Sequence, residues 1–270
     1  MEAAYGQLYD FFGGNEFMIN VVGGISIAFV YFWLFNLPFA ILDFTRPAWA
    51  EVYRVQDDKK PTVQQYLRAV KVALFNQSIT GPIVVGLFYF IGKSTGVHYE
   101  KQLPSYLTVV LHVIFAIAVE EICFYYSHRL FHHPRIYKYV HKIHHEWTSP
   151  VSITSIYAHP IEHAVSNLAP ILLGPTLLGS HITTVWIWAA LATLSTTFSH
   201  CGYHFPFTPS PVGHDFHHMV FNENFGVLGV LDTFHGTNKT FMKSVYSKRH
   251  KMYFSFTPIK VAYPNTAKSK

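Results

Sequence analysis

The most constraining feature of this sequence is a stretch of 50 residues, 164–213, that contains no Asp, Glu, Lys or Arg. Three further charge-free runs precede it, at residues 17–42, 72–92 and 102–119. Each of these three runs reaches the roughly 17–25 residues that a transmembrane helix needs. Four such segments in one chain predict an integral membrane protein rather than a soluble domain with a large core.

Glycine and proline interrupt two of the apolar segments. Gly174-Pro175 and Gly179-Ser180 lie in the first half of the 50-residue stretch, and they predict a helical hairpin that turns between residues 174 and 181. Gly81-Pro82 lies inside the run 72–92, which we interpret as a broken span or a re-entrant segment.

The composition supports a membrane location and argues against nucleic-acid binding. Only 13% of the residues are charged, against about 25% in a typical soluble domain. The net charge of +5 accompanies no basic stripe with interleaved aromatics, so attraction to an anionic cytosolic leaflet explains it more simply. Cys123 and Cys201 form no CxxC pair and are interpreted as buried thiols.

The distribution of charge predicts the orientation. The first 16 residues contain acidic side chains and no Lys or Arg, so no cleavable signal peptide is expected and the first apolar segment remains as an anchor. With the N-terminus in the lumen, all but Lys93 and Lys101 of the 20 Lys and Arg residues become cytosolic, as the positive-inside rule requires. We divide the chain into an anchor with a cytosolic loop (1–71), a main domain (72–257) and a basic tail (258–270).

Histidines concentrate between residues 128 and 218, which hold 14 of the 18 in the chain. On a helix, residues three or four apart share a face, and four segments repeat this spacing. Each could direct its imidazoles at one point, and together they suffice for two metal ions. The ten candidate ligands are His128, His132, His141, His144, His145, His200, His204, His214, His217 and His218.

Neutral imidazole binds iron, zinc, copper or nickel, so the residues alone leave the metal open. A hydrolytic zinc site of the common type is disfavoured because no HExxH motif is present. Other side chains are expected to support the ligands from behind or to line a substrate cavity; these are His159, His163, Glu162 and Asp215. His133 and the isolated histidines, including His181 and His250, are interpreted as bystanders.

The segments that carry these histidines resemble a known family. The runs are HRLFHHPRIYKYVHKIHHEWTSP, YAHPIEH and HDFHHMVFNENFGVLGVLDTFHGT. They are similar to those of the sterol desaturase / fatty acid hydroxylase superfamily, and within it to C4-methylsterol oxidases. The resemblance covers roughly residues 105–257.

The resemblance implies an all-α integral membrane protein in which transmembrane hairpins lie beneath a cytosolic helical cap with a polyhistidine dimetal centre. It implies that the ten histidines named above hold two non-haem iron ions that activate O2. Electrons would come from NAD(P)H through cytochrome b5 and its reductase. The segment 17–42 precedes the family's two hairpins and is therefore an added anchor.

These observations predict a monooxygenase of the endoplasmic reticulum membrane that hydroxylates the C4 methyl group of a sterol, working beside other sterol-biosynthesis enzymes. One alternative is a fatty-acid or sterol side-chain hydroxylase or desaturase on the same scaffold. Another, from a different class, is a non-catalytic regulator that keeps the fold and binds lipid.

Overall fold

The computed structural model describes residues 2–56 and 59–265, and within them the chain is helical with no β-strand. One isolated bridge, between Arg54 and Tyr203, is the single extended pairing in this part of the chain. The predicted all-α membrane fold is confirmed.

Seven helices define the architecture, and four of those in the described residues are long and apolar enough to cross a membrane. The helices are α1 (Glu2–Phe11), α2 (Met18–Thr45), α3 (Val63–Thr95), α4 (Tyr106–Phe131), α5 (160–177), α6 (Ile182–His200) and α7 (Val212–Val220). The spans are α2, α3, α4 and α6. Their outward faces expose large apolar side chains such as Leu34, Leu87 and Ile114, which suit contact with lipid.

Helix α3 begins earlier than the apolar run predicted and continues through Gly81-Pro82. A capping box between Thr62 and Gln65 starts it at Val63, because the two side chains satisfy free backbone N–H groups of the first turn. A π-helical turn, Asn76–Thr80, directly precedes the proline. The wider turn accommodates the proline, which has no N–H to donate to the helix. The helix therefore continues, and the expectation of a broken or re-entrant span is wrong.

Helices α5 and α6 form the predicted hairpin, joined by a turn at residues 178–181. Trp188 Nε1 donates to the carbonyl of Ile171 at 3.0 Å, across the hairpin. Gly174 allows α5 to approach α4, since a Cβ atom there would lie 2.7 Å from the Cα of Ala116. Small residues permit such close helix contacts in membrane proteins.

The two ends of the bundle differ. At one end, which we call the distal end, α1 packs on the loop 96–105 and on the 178–181 turn. Tyr5 donates to the carbonyl of Tyr99 at 2.6 Å, and Lys101 pairs with Asp10. The opposite end carries the C-termini of α4 and α6, helix α7 and the histidine-rich segments.

The N-terminal segment is packed into this histidine-bearing end. Arg54 is buried against Asp43 at 3.1 Å and also bonds the hydroxyl of Tyr203. Gln56 Nε2 donates to Asp215 of α7 at 2.7 Å. The cytosolic loop predicted to follow the anchor therefore contacts the elements that carry the histidines, while the division into domains stays a prediction.

Candidate metal centre

Four elements bring the candidate ligands together. Helix α4 ends with His128 and His132, and α6 ends with His200. A 3₁₀ turn, His141–Glu146, supplies three rings, and α7 supplies three more. Elements far apart in sequence thus meet at one end of the bundle, where the long apolar stretch 164–213 returns the chain to the same side.

Nine of the ten predicted ligands fall into two groups, in each of which one nitrogen per ring lies within 4.8 Å of the others. Group A consists of His128, His132, His141, His145 and His217. Group B consists of His144, His200, His214 and His218. Across the boundary, His145 of group A contacts His144 and His218 of group B, with ring centroids 5.6 and 4.8 Å apart, so the groups are neighbours.

The two groups do not follow the sequence clusters. In the 3₁₀ turn, His141 and His145 enter group A while His144 enters group B. On α7, His214 and His218 lie on one side, and His217 points into the other group. Each of these two clusters therefore contributes rings to both groups.

Backbone carbonyls define the protonation pattern of four rings, because a carbonyl oxygen can only accept. The Nδ1 atoms donate from His128 to Phe225 (2.8 Å), from His217 to Glu223 (2.7 Å), from His144 to Tyr157 (3.2 Å) and from His200 to Thr196 (2.9 Å). In a neutral ring whose hydrogen is on Nδ1, the Nε2 atom carries a lone pair. Those lone pairs face the interior of the groups.

The Nε2 atoms stand at the separations that shared metal ligation requires. In group A, the Nε2 atom of His141 lies 3.1 Å from that of His128 and 2.8 Å from that of His132. In group B, the Nε2 atoms of His200 and His214 are 2.9 Å apart. Zinc–imidazole distances of about 2.0–2.1 Å would put two ligands at right angles about 2.9 Å apart. The donor set therefore fits a first-row transition metal.

Burial keeps these rings neutral. Desolvation lowers the pKa of His217 and of His218 well below the usual value, and neighbouring imidazoles lower both further. The same two causes lower the pKa of His144 to about 4. Neutral imidazole is the form that binds metal, so the ligands need no deprotonation at neutral pH.

The predicted supporting residues take different positions. Glu162, at the start of α5, lies with Oε1 2.8 Å from His141 Nδ1, and burial raises its carboxyl pKa. Asp215 is buried on α7, yet its oxygens face Gln56 rather than an imidazole. His159 caps α5 through a bond from the N–H of Ile161.

His163 and His204 lie outside the two groups. His163 is buried, and its Nδ1 atom lies 3.2 Å from the amide of Asn167. His204 is also buried, but its Nε2 atom donates to the carbonyl of Lys251 at 2.9 Å. The expected helical pairing of His200 with His204 is wrong because α6 ends at His200, and Gly202 turns the chain at a φ of 72°.

Several positioning groups were missed by sequence reasoning because backbone carbonyls carry no residue signature. One is the carbonyl of Tyr157, which orients His144. Its loop is held in turn by Asn76, whose amide donates to the carbonyls of Ile156 and Ala158 at 3.0 Å each. The available signal in the sequence was Asn76, which begins a short polar group, Asn76-Gln-Ser, inside a charge-free run.

Comparison with known proteins identifies the family. The family model described as fatty acid hydroxylase matches residues 113–237. Human fatty acid hydroxylase domain-containing protein 2 is 42% identical over 99% of this chain and 81% of its own length. The chain belongs to the fatty acid hydroxylase family. The resemblance noted in the sequence is thereby confirmed.

Other members of the fatty acid hydroxylase family carry different names. Methylsterol monooxygenase 2-2 of Arabidopsis thaliana is 31% identical over 85% of this chain and 89% of its own length. Very-long-chain aldehyde decarbonylase GL1-8 of Oryza sativa subsp. indica is 32% identical over 90% and 93%. No solved structure matches the chain.

Membership of the fatty acid hydroxylase family, together with the apolar spans, makes this chain a multi-pass membrane oxygenase. The family and the histidine groups indicate non-haem iron as the metal and a lipid as the substrate.

Proposed function

We propose that this protein is a membrane monooxygenase with two non-haem iron ions, one in each histidine group, that hydroxylates the C4 methyl group of a sterol. One observation carries the proposal. Nine buried imidazoles direct one nitrogen each into two adjacent groups, and backbone carbonyls hold four of them in the tautomer that leaves Nε2 free to bind metal. The irons, when bound, supply the activation of O2.

Hydroxylation of a methyl group by O2 requires electrons and protons as well as the lipid. One oxygen atom enters the C–H bond and the other leaves as water, so each turnover consumes two electrons and two protons. We propose NAD(P)H as the source of electrons, delivered through cytochrome b5 and its reductase. Further oxidation of the alcohol to the carboxylate would repeat the same consumption of O2 and electrons.

The protein's own contribution is to fix the rings and to exclude water. His217 and His218 have no exposed surface, and Glu162 and the carbonyl partners restrict ring rotation from behind. Such fixed ligands raise metal affinity, and a dry site protects a reactive centre from side reactions.

Support for a sterol comes from the methylsterol monooxygenase relative, which aligns over most of both chains. A lipid substrate would enter from the bilayer, since the spans expose apolar faces next to the histidine-bearing end. We place the protein in the endoplasmic reticulum, with both histidine groups on the cytosolic side and with other sterol-biosynthesis enzymes as neighbours.

Sterol profiling tests this assignment. We expect the protein, expressed in cells that lack C4-methylsterol oxidase, to lower the level of 4-methyl sterols measured by mass spectrometry. His217→Ala should abolish that effect, whereas His133→Ala, an exposed ring outside both groups, should preserve it. Persistent 4-methyl sterols in cells that contain iron-loaded protein would refute the sterol assignment.

The aldehyde decarbonylase relative favours a second candidate, which is oxidation of a long acyl chain on the same scaffold. Acyl-chain profiling of the same cells distinguishes the two. New hydroxylated or unsaturated chains, with unchanged sterols, would favour this second candidate. If neither lipid class changes, the non-catalytic regulator becomes the better description.

Protease protection tests the orientation. Microsomes that contain the protein should leave the C-terminal tail open to protease added from outside. A protected tail would overturn the cytosolic assignment of the histidine groups.

A further inference from the structure

Residues 226–235 form an apolar loop and short helix on the surface of the histidine-bearing end. Besides the polar Thr233 and His235, which are also exposed, four outward side chains are large and apolar, and Phe234 among them is 80% exposed. They are Val227, Leu228, Val230 and Phe234. Asp232 is the only carboxylate or cationic Lys or Arg in the segment, and it is buried, so the exposed surface of the loop carries no such charge.

A carboxylate from a membrane span holds this loop. Glu121 of α4 is buried, and it accepts four backbone N–H bonds at 2.8–3.3 Å; the donors are Val227, Leu228, Val230 and Leu231. A buried carboxylate is costly unless it is fully hydrogen-bonded, and here the loop provides the bonds. Gly226 allows the backbone to pass close to these carboxylates, since a Cβ atom there would lie only 3.0 Å from oxygens of Glu121 and Asp232.

The position of Glu121 along α4 indicates the depth of the loop. At about 1.5 Å per residue, Glu121 lies about 22 Å and Tyr126 about 30 Å from Tyr106, the first residue of the span. The hydrocarbon core of a bilayer is about 30 Å thick. Measured from Tyr106, the loop therefore occupies about the last 8 Å of the hydrocarbon, from the level of Glu121 to the boundary with the headgroups at the level of Tyr126.

The loop is also continuous with the outward face of α4. His235 stacks on Tyr125 with ring centroids 5.3 Å apart, and its Nε2 atom lies 3.0 Å from the hydroxyl of Tyr126. Tyr126 and Ile122 are themselves half exposed on the span. The apolar side chains of the loop thus extend the lipid-facing surface of α4.

We propose that residues 226–235 are inserted into the edge of the bilayer, with lipid covering their apolar side chains, and that Glu121 is the positioning residue that holds them there. Phe225 directly precedes the loop; its carbonyl accepts from His128, and its ring lies 5.1 Å from that of His132. Insertion of the loop therefore links the bilayer to group A. This inference does not depend on the substrate.

Spin-label depth measurements test the insertion. The full-length protein, with Cys123 and Cys201 replaced by serine and alanine, receives one label at Phe234→Cys and is reconstituted at one copy per phosphatidylcholine vesicle. That dilution removes a second copy as the occupant. Matched labels at Ile114→Cys, exposed in the middle of α4, and at Lys248→Cys, an exposed cation in the chain that follows α7, give the lipid and water references.

We expect the label at residue 234 to be more accessible to O2 than to a water-soluble nickel chelate, as at residue 114. Accessibility like that at residue 248 would overturn the proposed insertion into the bilayer. A protein partner would then be the better candidate to cover the apolar side chains of residues 226–235. Loss of sterol activity in the same labelled protein would not bear on this result.

Glu121→Gln tests the anchor. Its amide can accept fewer of the four N–H bonds, so the label at residue 234 should move toward water while the label at residue 114 stays unchanged. Unchanged depth at residue 234 would refute the role of Glu121. The measurement on the protein with native Glu121 stands independently if this variant does not fold.

Discussion

A buried histidine lies at each end of helix α6, and the two differ in the partners of their ring nitrogens. His181 at the distal end has both nitrogens satisfied: Nε2 donates to the carbonyl of Glu100 at 2.8 Å, and Nδ1 accepts from Thr183 at 2.7 Å. His200 at the other end donates from Nδ1 to the carbonyl of Thr196, which leaves its Nε2 lone pair 2.9 Å from the Nε2 atom of His214.

The two rings are equally buried, so burial does not distinguish a candidate ligand from a structural residue. What differs is the partner of the second nitrogen. Both nitrogens of His181 have hydrogen-bond partners. By contrast, the Nε2 lone pair of His200 faces the Nε2 atom of another imidazole, that of His214, and a cation bound between them would satisfy both nitrogens. His204 resembles His181 in that a carbonyl takes up its Nε2 hydrogen.

The largest effect on iron content and activity should come from removing one candidate ligand at the histidine-bearing end of the bundle. We expect His200→Ala in group B, or His217→Ala in group A, to lower iron content from about two ions per chain to about one or fewer, and to reduce activity more than about 100-fold, since loss of a mere supporting partner costs about 10–100-fold. Elemental analysis of the purified protein measures the iron. Full occupancy in both variants would refute the ligand set.

Acidification should act next most strongly, and only on the converging rings. Protons compete with metal for imidazole, and burial lowers the pKa of the free rings, to about 4 for His144, so metal affinity should fall at least about tenfold per pH unit only below about pH 4. Metal-content titration in detergent measures this. Binding that stays constant down to about pH 3 would contradict histidine ligation.

The metal-free protein should also lose stability on acidification, with a sign that the pKa dictates. Burial lowers the pKa of His144 to about 4, while the unfolded ring titrates near 6.5. The unfolded chain therefore binds more protons as pH falls from about 6.5 to about 4, and the free energy of unfolding decreases over that window. Thermal unfolding at several pH values measures the decrease.

A smaller effect is expected for Glu162→Gln. A cation bound in group A favours the ionised form of Glu162 despite its raised pKa. The neutral amide can still accept from His141 Nδ1 but cannot supply that negative charge, so metal affinity should fall about 10–100-fold. Asp215→Asn is the matched control, because this buried carboxylate faces Gln56 instead of a ring. Equal losses in the two variants would show that burial, rather than contact with His141, explains the effect.

At the distal end, His181→Ala should leave iron content unchanged. It should lower the free energy of unfolding by about 1–3 kcal/mol, because the carbonyl of Glu100 loses its buried donor. Denaturant titration and elemental analysis of the same preparation separate these two readouts. A loss of iron here would remove the distinction between the two ends of α6.

The smallest effect on metal is expected for His204→Ala, which the sequence places among the ligands and the structure places outside both groups. Iron content should match that of the unaltered protein. A loss comparable to that of His200→Ala would return His204 to the ligand set.

Much of the fold follows from the order of residues alone. Charge-free runs predict the spans, glycine and proline predict the α5–α6 hairpin, and histidines three and four apart identify the segments that meet. The start of α3 at Val63 was missed because Arg68 and Lys71 interrupt the apolar run, although both fit on an amphipathic helix whose other face is buried.

The membership of each histidine group was decided by tertiary structure. Spacing treats His141, His144 and His145 as one cluster, but α6 supplies a ring on one side of their turn, α4 supplies rings on the other, and α7 supplies rings to both, which separates His144 from its neighbours. The carbonyls that orient the rings are likewise invisible in the sequence, because every residue has one. The sequence by itself determined that histidines would converge beside a membrane, and only the packing of helices decided which lone pairs face each other.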